Sequence, residues 1–181
     1  MITSRIGAPL LVTERLELSL PSKDDLWAMH AIASHPETAR YLGGSTGKAE
    51  HFMRFSRSAG SWLLYGYGSF MVRERGNPEL IGSCGIFHTF RELGDDFDDN
   101  PEAGWILRHD SGGRGLGSEA MKAALAWFEH EHGLRRIVCL IAEGNGASLS
   151  LAKKLGFTPM RRATLPDGEI AELLERHSKP A

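Results

Sequence analysis

Apolar and polar positions alternate in "LLVTERLELSL", residues 10–20, where Leu16, Leu18 and Leu20 fall on one side, and this two-residue period predicts a half-buried strand. In "SKDDLWAMHAIASH" the spacing of Leu26, Met29 and Ala33 is that of an amphipathic helix, with Ser22 as its cap. A second helix is expected over Lys48 to Ser58. The runs "GYGSFMVRER", "LIGSCGIFHTF" and "EAGWILR" read as three strands, the first two parted by the turn residues "RGNPE". Short connections favour an antiparallel meander, with the acidic stretch "ELGDDFDDNP" as the loop into the third strand. From Gly115 onward the period changes, and Leu116, Ala120, Ala124, Leu125 and Phe128 form a helical stripe that Gly133 stops. "RRIVCLIA" then reads as a buried strand, and "GNGASLSLAKKLGF" as a short helix ended by Gly156. "FTPMRRA" and "EIAELLER" close the chain as strands, although the second fits a helix equally well. The order predicts a mixed α/β (α+β) fold, a mostly antiparallel central sheet flanked by helices.

Composition narrows the setting. A chain of 181 residues suits one domain, taken as residues 1–181. Lys and Arg number 21 against 23 Asp and Glu, so the basic excess of a general nucleic-acid binder is missing. Cys84 and Cys139 lie far apart inside apolar runs, which fits reduced core thiols and a cytoplasmic protein better than a disulfide framework or a metal site. No apolar stretch has the length of a signal peptide core or a membrane span. His130 and His132 point apart on a helix, so no zinc site is expected.

The segment "RHDSGGRGLGSEA", residues 108–120, carries Gly112, Gly113, Gly115 and Gly117 between a strand and a helix. Such a loop exposes backbone N–H groups, and the helix's first turn adds unpaired donors and about half a unit of positive charge. That combination binds phosphate, and the glycines permit positive φ and close approach of a ligand. A plain surface turn with a well-capped helix needs fewer glycines. "GLGSEA" also satisfies the dinucleotide pattern G-x-G-x-x-A, with Glu143 ending the next strand, but that acid lies beyond the usual spacing of about 20 residues. A nucleoside-triphosphate loop fits worse, because Ser118 stands where its lysine belongs.

Taken with "EGNGASLSLAKKLGF", the loop resembles the GNAT superfamily of acyl-CoA-dependent N-acetyltransferases. "TERLEL" at Thr13–Leu18, "LIGSCGI" at Leu80–Ile86, "PEAGWIL" at Pro101–Leu107 and "NGAS" at Asn145–Ser148 extend the likeness to the RimJ/RimL-like branch. That branch is associated with ribosomal-protein N-termini and, in relatives, small amines. The resemblance implies acetyl-CoA as cosubstrate and an amine as acceptor, either a peptide N-terminus or a small molecule. Its diphosphate cradle maps to Gly112, Gly113, Arg114, Gly115, Leu116, Gly117 and Ser118. Gly112 departs from the Gln or Arg common at its position, which removes a side chain and leaves the amide cradle.

The same resemblance implies direct transfer, with the strand residues Trp105, Ile106 and Leu107 pairing to the pantetheine arm. An alkylammonium has a pKa near ~10.4, so a base or a water path must free its lone pair. Glu102, which starts the strand and shares a face with Gly104 and Ile106, is the expected base; its alternative is a solvated acid closing the acidic loop. The family's tyrosine acid is replaced by Ala152, and Ser148 is the expected substitute beside the thiolate, against a plain helix-starting serine. Asn145 is expected to touch pantetheine or peptide backbone, or else to serve as a turn residue. Cys139 as a covalent nucleophile is disfavoured by its core pattern with Ile137 and Ile141. Glu92, Asp95, Asp96, Asp98 and Asp99 could draw a cationic amine to the cleft or be merely solvated, and they lack the glycine and terminal glutamate of an EF-hand. A non-catalytic CoA-binding regulatory module, consistent with Ala152, is the alternative function, and a dinucleotide-binding oxidoreductase ranks behind it.

Overall fold

The computed structural model describes residues 8–177, in which eight strands form one sheet. The opening run makes two strands rather than one, β1 (Pro9–Val12) and β2 (Leu16–Ser19), paired antiparallel. The break falls at Thr13, whose backbone and side chain both engage Leu16, so the chain reverses where the apolar alternation alone reads straight through. Ser22 caps as expected, in a reciprocal box with Asp25, but it starts a 3-10 turn over Lys23–Asp25 that leads into α1 (Leu26–Ser34). A short α2 (Pro36–Ala39) follows. The next helix, α3, runs over Lys48–Tyr65, well past Ser58, until Gly66 takes a left-handed conformation and ends it.

Strands β3 (Ser69–Glu74), β4 (Leu80–His88) and β5 (Pro101–Leu107) form the antiparallel meander. A 3-10 turn at His109–Ser111 and the glycine loop then lead into α4 (Leu116–His132). Strand β6 (Arg136–Ala142) joins β5 in parallel, α5 (Gly146–Lys154) follows, and β7 (Thr158–Thr164) and β8 (Ile170–His177) close the sheet, whose order is β1-β2-β3-β4-β5-β6-β8-β7. The ambiguous last segment is a strand because Ala171, Leu173 and Leu174 bury against a full antiparallel register with β6.

Alternation along β3 and β4 separates two packing faces. Phe70, Val72 and Ile81 join the α4 stripe, including Ala120, Ala124 and Phe128, in the main core. Met71 and Leu80 face the other way and pack with Met29 and Ile32 of α1. The acidic loop is anchored rather than loose, for Phe97 is buried against Val138 and Leu173. With one parallel pair among the strand pairings of the described residues, this sheet is unlike the open parallel sheet of a dinucleotide-binding fold.

Candidate active site

Strands β5 and β6 run side by side only at Glu102↔Val138 and Ala103↔Cys139, after which they part. On its other edge β5 stays paired with β4 through Leu107. Arg108 donates its N–H to the Ile81 carbonyl on the β4 side. Backbone groups alternate along an antiparallel pair, so Glu102, Gly104 and Ile106 bond toward β4 while Trp105 and Leu107 turn their N–H and C=O groups toward the opening. The splayed strands thus expose an unpaired stretch of edge inside the protein rather than at its rim.

The glycine loop closes one end of that opening. Together with Trp105, Ile106 and Leu107 on one side and α5 on the other, it encloses a cavity of about 460 Å³, within the range of small-molecule sites. Gly112, Gly113, Gly115, Leu116, Gly117 and Ser118 all line it. Gly115 is the helix cap with φ 77°, and Gly113 has φ 75°, conformations in which a side chain is strained. At Gly117 the constraint is proximity, since an added Cβ would lie 2.9 Å from a Leu107 methyl. Arg114 does not line the cavity. Its guanidinium turns outward to clasp the Glu74 carboxylate, and its carbonyl accepts from Arg15.

A set of contacts with no local sequence signal fixes the loop. Glu119, in the first turn of α4, accepts from the Thr13 hydroxyl (2.6 Å), the Arg15 amide (2.9 Å) and the Arg15 guanidinium (2.7 Å). The turn that splits the opening strand is therefore part of the loop's frame. Burial works to raise the Glu119 pKa, but the bonds from Thr13 and Arg15 outweigh it and hold the carboxyl below its usual range.

Across the opening, Asn145 caps α5 by accepting the Ser148 amide at 3.1 Å. The Ser148 hydroxyl accepts from the Trp105 indole N–H, also at 3.1 Å. Both residues line the cavity, so the structure brings Asn145, Ser148 and Trp105 together at its α5 wall. Ala152 is fully buried in the main core.

A second cavity, of about 220 Å³, lies between the α1–α3 layer and the sheet. Ile106 and Leu42 line both cavities, which makes Ile106 the wall where they meet. Glu102 lines neither. It is 3% exposed, and Arg91 grips both its oxygens at 2.7 and 2.6 Å while Thr89 donates at 2.5 Å. Burial weakens the Arg91 charge, but the bonds to Glu102 prevail and raise its pKa. The carboxylate expected as a free base is thus an engaged counter-ion. Arg91, Thr89 and His88 do line the second cavity. The His88 Nδ1 lies 3.3 Å from the Tyr67 hydroxyl, and its Nε2 sits 3.2 Å from an Asp99 oxygen without the alignment of a hydrogen bond.

The acidic cluster is largely engaged as well. Asp98 accepts the amides of Arg91, Leu93 and Gly94, and these bonds hold its pKa down against the opposing effect of burial. Asp96 pairs with Arg161. Both cysteines are buried and free, and burial pushes the Cys84 thiol up to about 12 and the Cys139 thiol further. Among the described residues no group of three His, Cys, Asp or Glu could hold a metal ion. Nor is any helix there long and apolar enough to cross a membrane.

A glycine cradle at a helix start thus stands beside an unpaired strand edge. Residues 15–158 match the family described as the acetyltransferase (GNAT) domain. The chain belongs to the GNAT acetyltransferase family. It is an acyl-CoA-dependent N-acetyltransferase. A GnaT-family acetyltransferase from Bordetella pertussis is 32% identical and superposes with a TM-score of 0.82 over 92% of this chain and 98% of that one. The GNAT fold is shared at lower identity with RimL, a ribosomal L7/L12 alpha-N-protein acetyltransferase solved with coenzyme A: 18% identical, TM-score 0.71, covering 93% of this chain and 97% of that one. YkkB of Bacillus subtilis (strain 168) is 24% identical over 147 residues, 81% of this chain and 83% of that protein.

Proposed function

We propose that this GNAT enzyme uses acetyl-CoA and transfers its acetyl group directly to a primary amine. The observation that carries this reading is the meeting of two cavities at Ile106, one framed by the glycine cradle and an unpaired strand edge, the other open to an acceptor. Acetyl-CoA held in the first supplies an activated acyl group. The amides of Gly113 to Ser118 suit its diphosphate, because loop and helix start offer N–H donors with a favourable dipole. The Trp105 and Leu107 edge suits the amide-bearing pantetheine arm, which can pair with it as a strand would. The N–H groups of that edge are also the donors available to a carbonyl oxygen on which charge develops.

Ser148, oriented by Trp105, is assigned the hydrogen bond or proton for the departing thiolate, and Asn145 sets the start of its helix. Holding both reactants in contiguous cavities supplies orientation, a large part of the acceleration in such reactions. The buried thiols of Cys84 and Cys139 favour direct attack over a covalent acetyl-cysteine. For the amine proton we assign His88, which lines the acceptor cavity, while Glu102 holds Arg91 in that cavity's wall.

The test is acetyl-CoA titration followed by thiol release with a broad panel of amines and peptides. Saturable binding with amine-dependent CoA release is expected. Binding without turnover across the panel would leave a CoA-binding regulatory module instead.

A further inference from the structure

We infer that the acceptor is a small amine that also bears a carboxylate, an apolar α-amino acid or its close chemical equivalent. This rests on the transferase reading above and adds the identity of the second substrate. Three arginines, Arg54, Arg57 and Arg91, line the acceptor cavity, and neither Asp nor Glu does so among the described residues. Their partners differ. Arg54 pairs with Glu50 along the surface of α3. Arg91 commits Nε and Nη2 to Glu102 and leaves Nη1 without a hydrogen bond among the described residues. No ion pair or hydrogen bond occupies the Arg57 side chain among the described residues. The cavity is thus lined by one exposed arginine without a partner, Arg57, and by one with a donor to spare, Arg91, along with Ser58 and with Thr89, whose hydroxyl donates to Glu102. A guanidinium fork of this kind matches a carboxylate.

Charge also argues against the opposite class. A polycationic acceptor would bring several ammonium groups to a cavity whose unpaired arginine is Arg57, and of the nearby loop carboxylates Asp96 and Asp98 are bound elsewhere while Asp99 sits on His88. Size limits the acceptor further, because about 220 Å³ is below the usual range for drug-sized ligands. The remaining wall, with Met29, Phe55, Met71 and Phe87, is apolar and suits a hydrocarbon side chain. An amine placed toward Ile106 and the strand opening would leave its carboxylate on the arginine side.

The experiment compares initial rates of CoA release with phenylalanine, phenylalaninamide, phenethylamine and spermidine, at fixed saturating acetyl-CoA, for the full chain and for Arg57→Gln and Arg57→Lys. Expected is a kcat/KM for the amino acid at least tenfold above that for its amide, carried mainly by KM. In Arg57→Gln that ratio should fall several-fold, with partial recovery in Arg57→Lys. Calorimetric binding of phenylalanine but not its amide to the CoA-loaded protein would agree. Equal or better use of the amide, the decarboxylated amine or spermidine overturns the proposal and leaves the transferase reading standing. If acetyl-CoA binds but none of the four acceptors is turned over, this proposal fails, and direct transfer to an amine is judged by the broader panel above.

Discussion

Glu102 and His88 divide between them a task that the sequence places on one residue. Arg91 holds both oxygens of Glu102, Thr89 donates to one of them, and the side chain lines neither cavity, so it has no open approach to an amine. Glu102→Gln should therefore act through Arg91: the cavity wall loosens, KM for the acceptor rises, and the shape of the pH–rate profile is kept. His88→Gln should instead lower kcat and remove the limb of the kcat profile that reports the base. A profile that loses this limb in Glu102→Gln would return the role to the carboxylate. The cradle gives a sharper contrast. Gly115 sits at φ 77°, so Gly115→Ala should cost about 1–2 kcal/mol of left-handed strain, and acetyl-CoA affinity should weaken by about tenfold in a binding titration. Gly112 has φ −66° and room for a methyl group 3.6 Å from the His109 carbonyl, so Gly112→Ala should have the smaller effect.

At the scale of elements, the tie between the β1–β2 turn and the first turn of α4 decides how firmly the cradle is held. Glu119 has its pKa depressed in the fold. Such a group stabilises the native state above its unfolded value of about 4.3 and loses that contribution as pH falls through the folded value. Wild type should therefore lose stability on acidification below about pH 4.3. Glu119→Gln should be less stable at neutral pH and show a shallower decline in acid, as followed by thermal melts across pH. The glycine loop, the α4 stripe and the meander are legible from local sequence because each is a short-range pattern. Glu119 and Arg15 lie 104 residues apart, so no periodicity can announce their contact. The same limit hides Arg91 on Glu102, where an acid at a strand start reads as exposed until its partner is seen. The strand status of "EIAELLER" also waits on a tertiary fact, the register of Ala171 to Leu174 with β6.

Across the whole molecule, the main core carries both thiols, Cys84 on β4 and Cys139 on β6, each about 1% exposed. A native protein should resist thiol reagents at neutral pH, and labelling should follow unfolding in denaturant. Fast labelling of the folded enzyme would show that the core opens locally and would reopen the case for a cysteine in the chemistry.

The separation of β5 from β6 after Ala103 has a further consequence for motion. The sheet's continuity across that boundary rests on a couple of main-chain links, so a cosubstrate lying along the gap would act as a missing rung joining the two halves. Deuterium uptake at the Trp105 and Leu107 amides should consequently be rapid in the free enzyme. Once the ligand completes the ladder, uptake should slow there more than in the neighbouring strands.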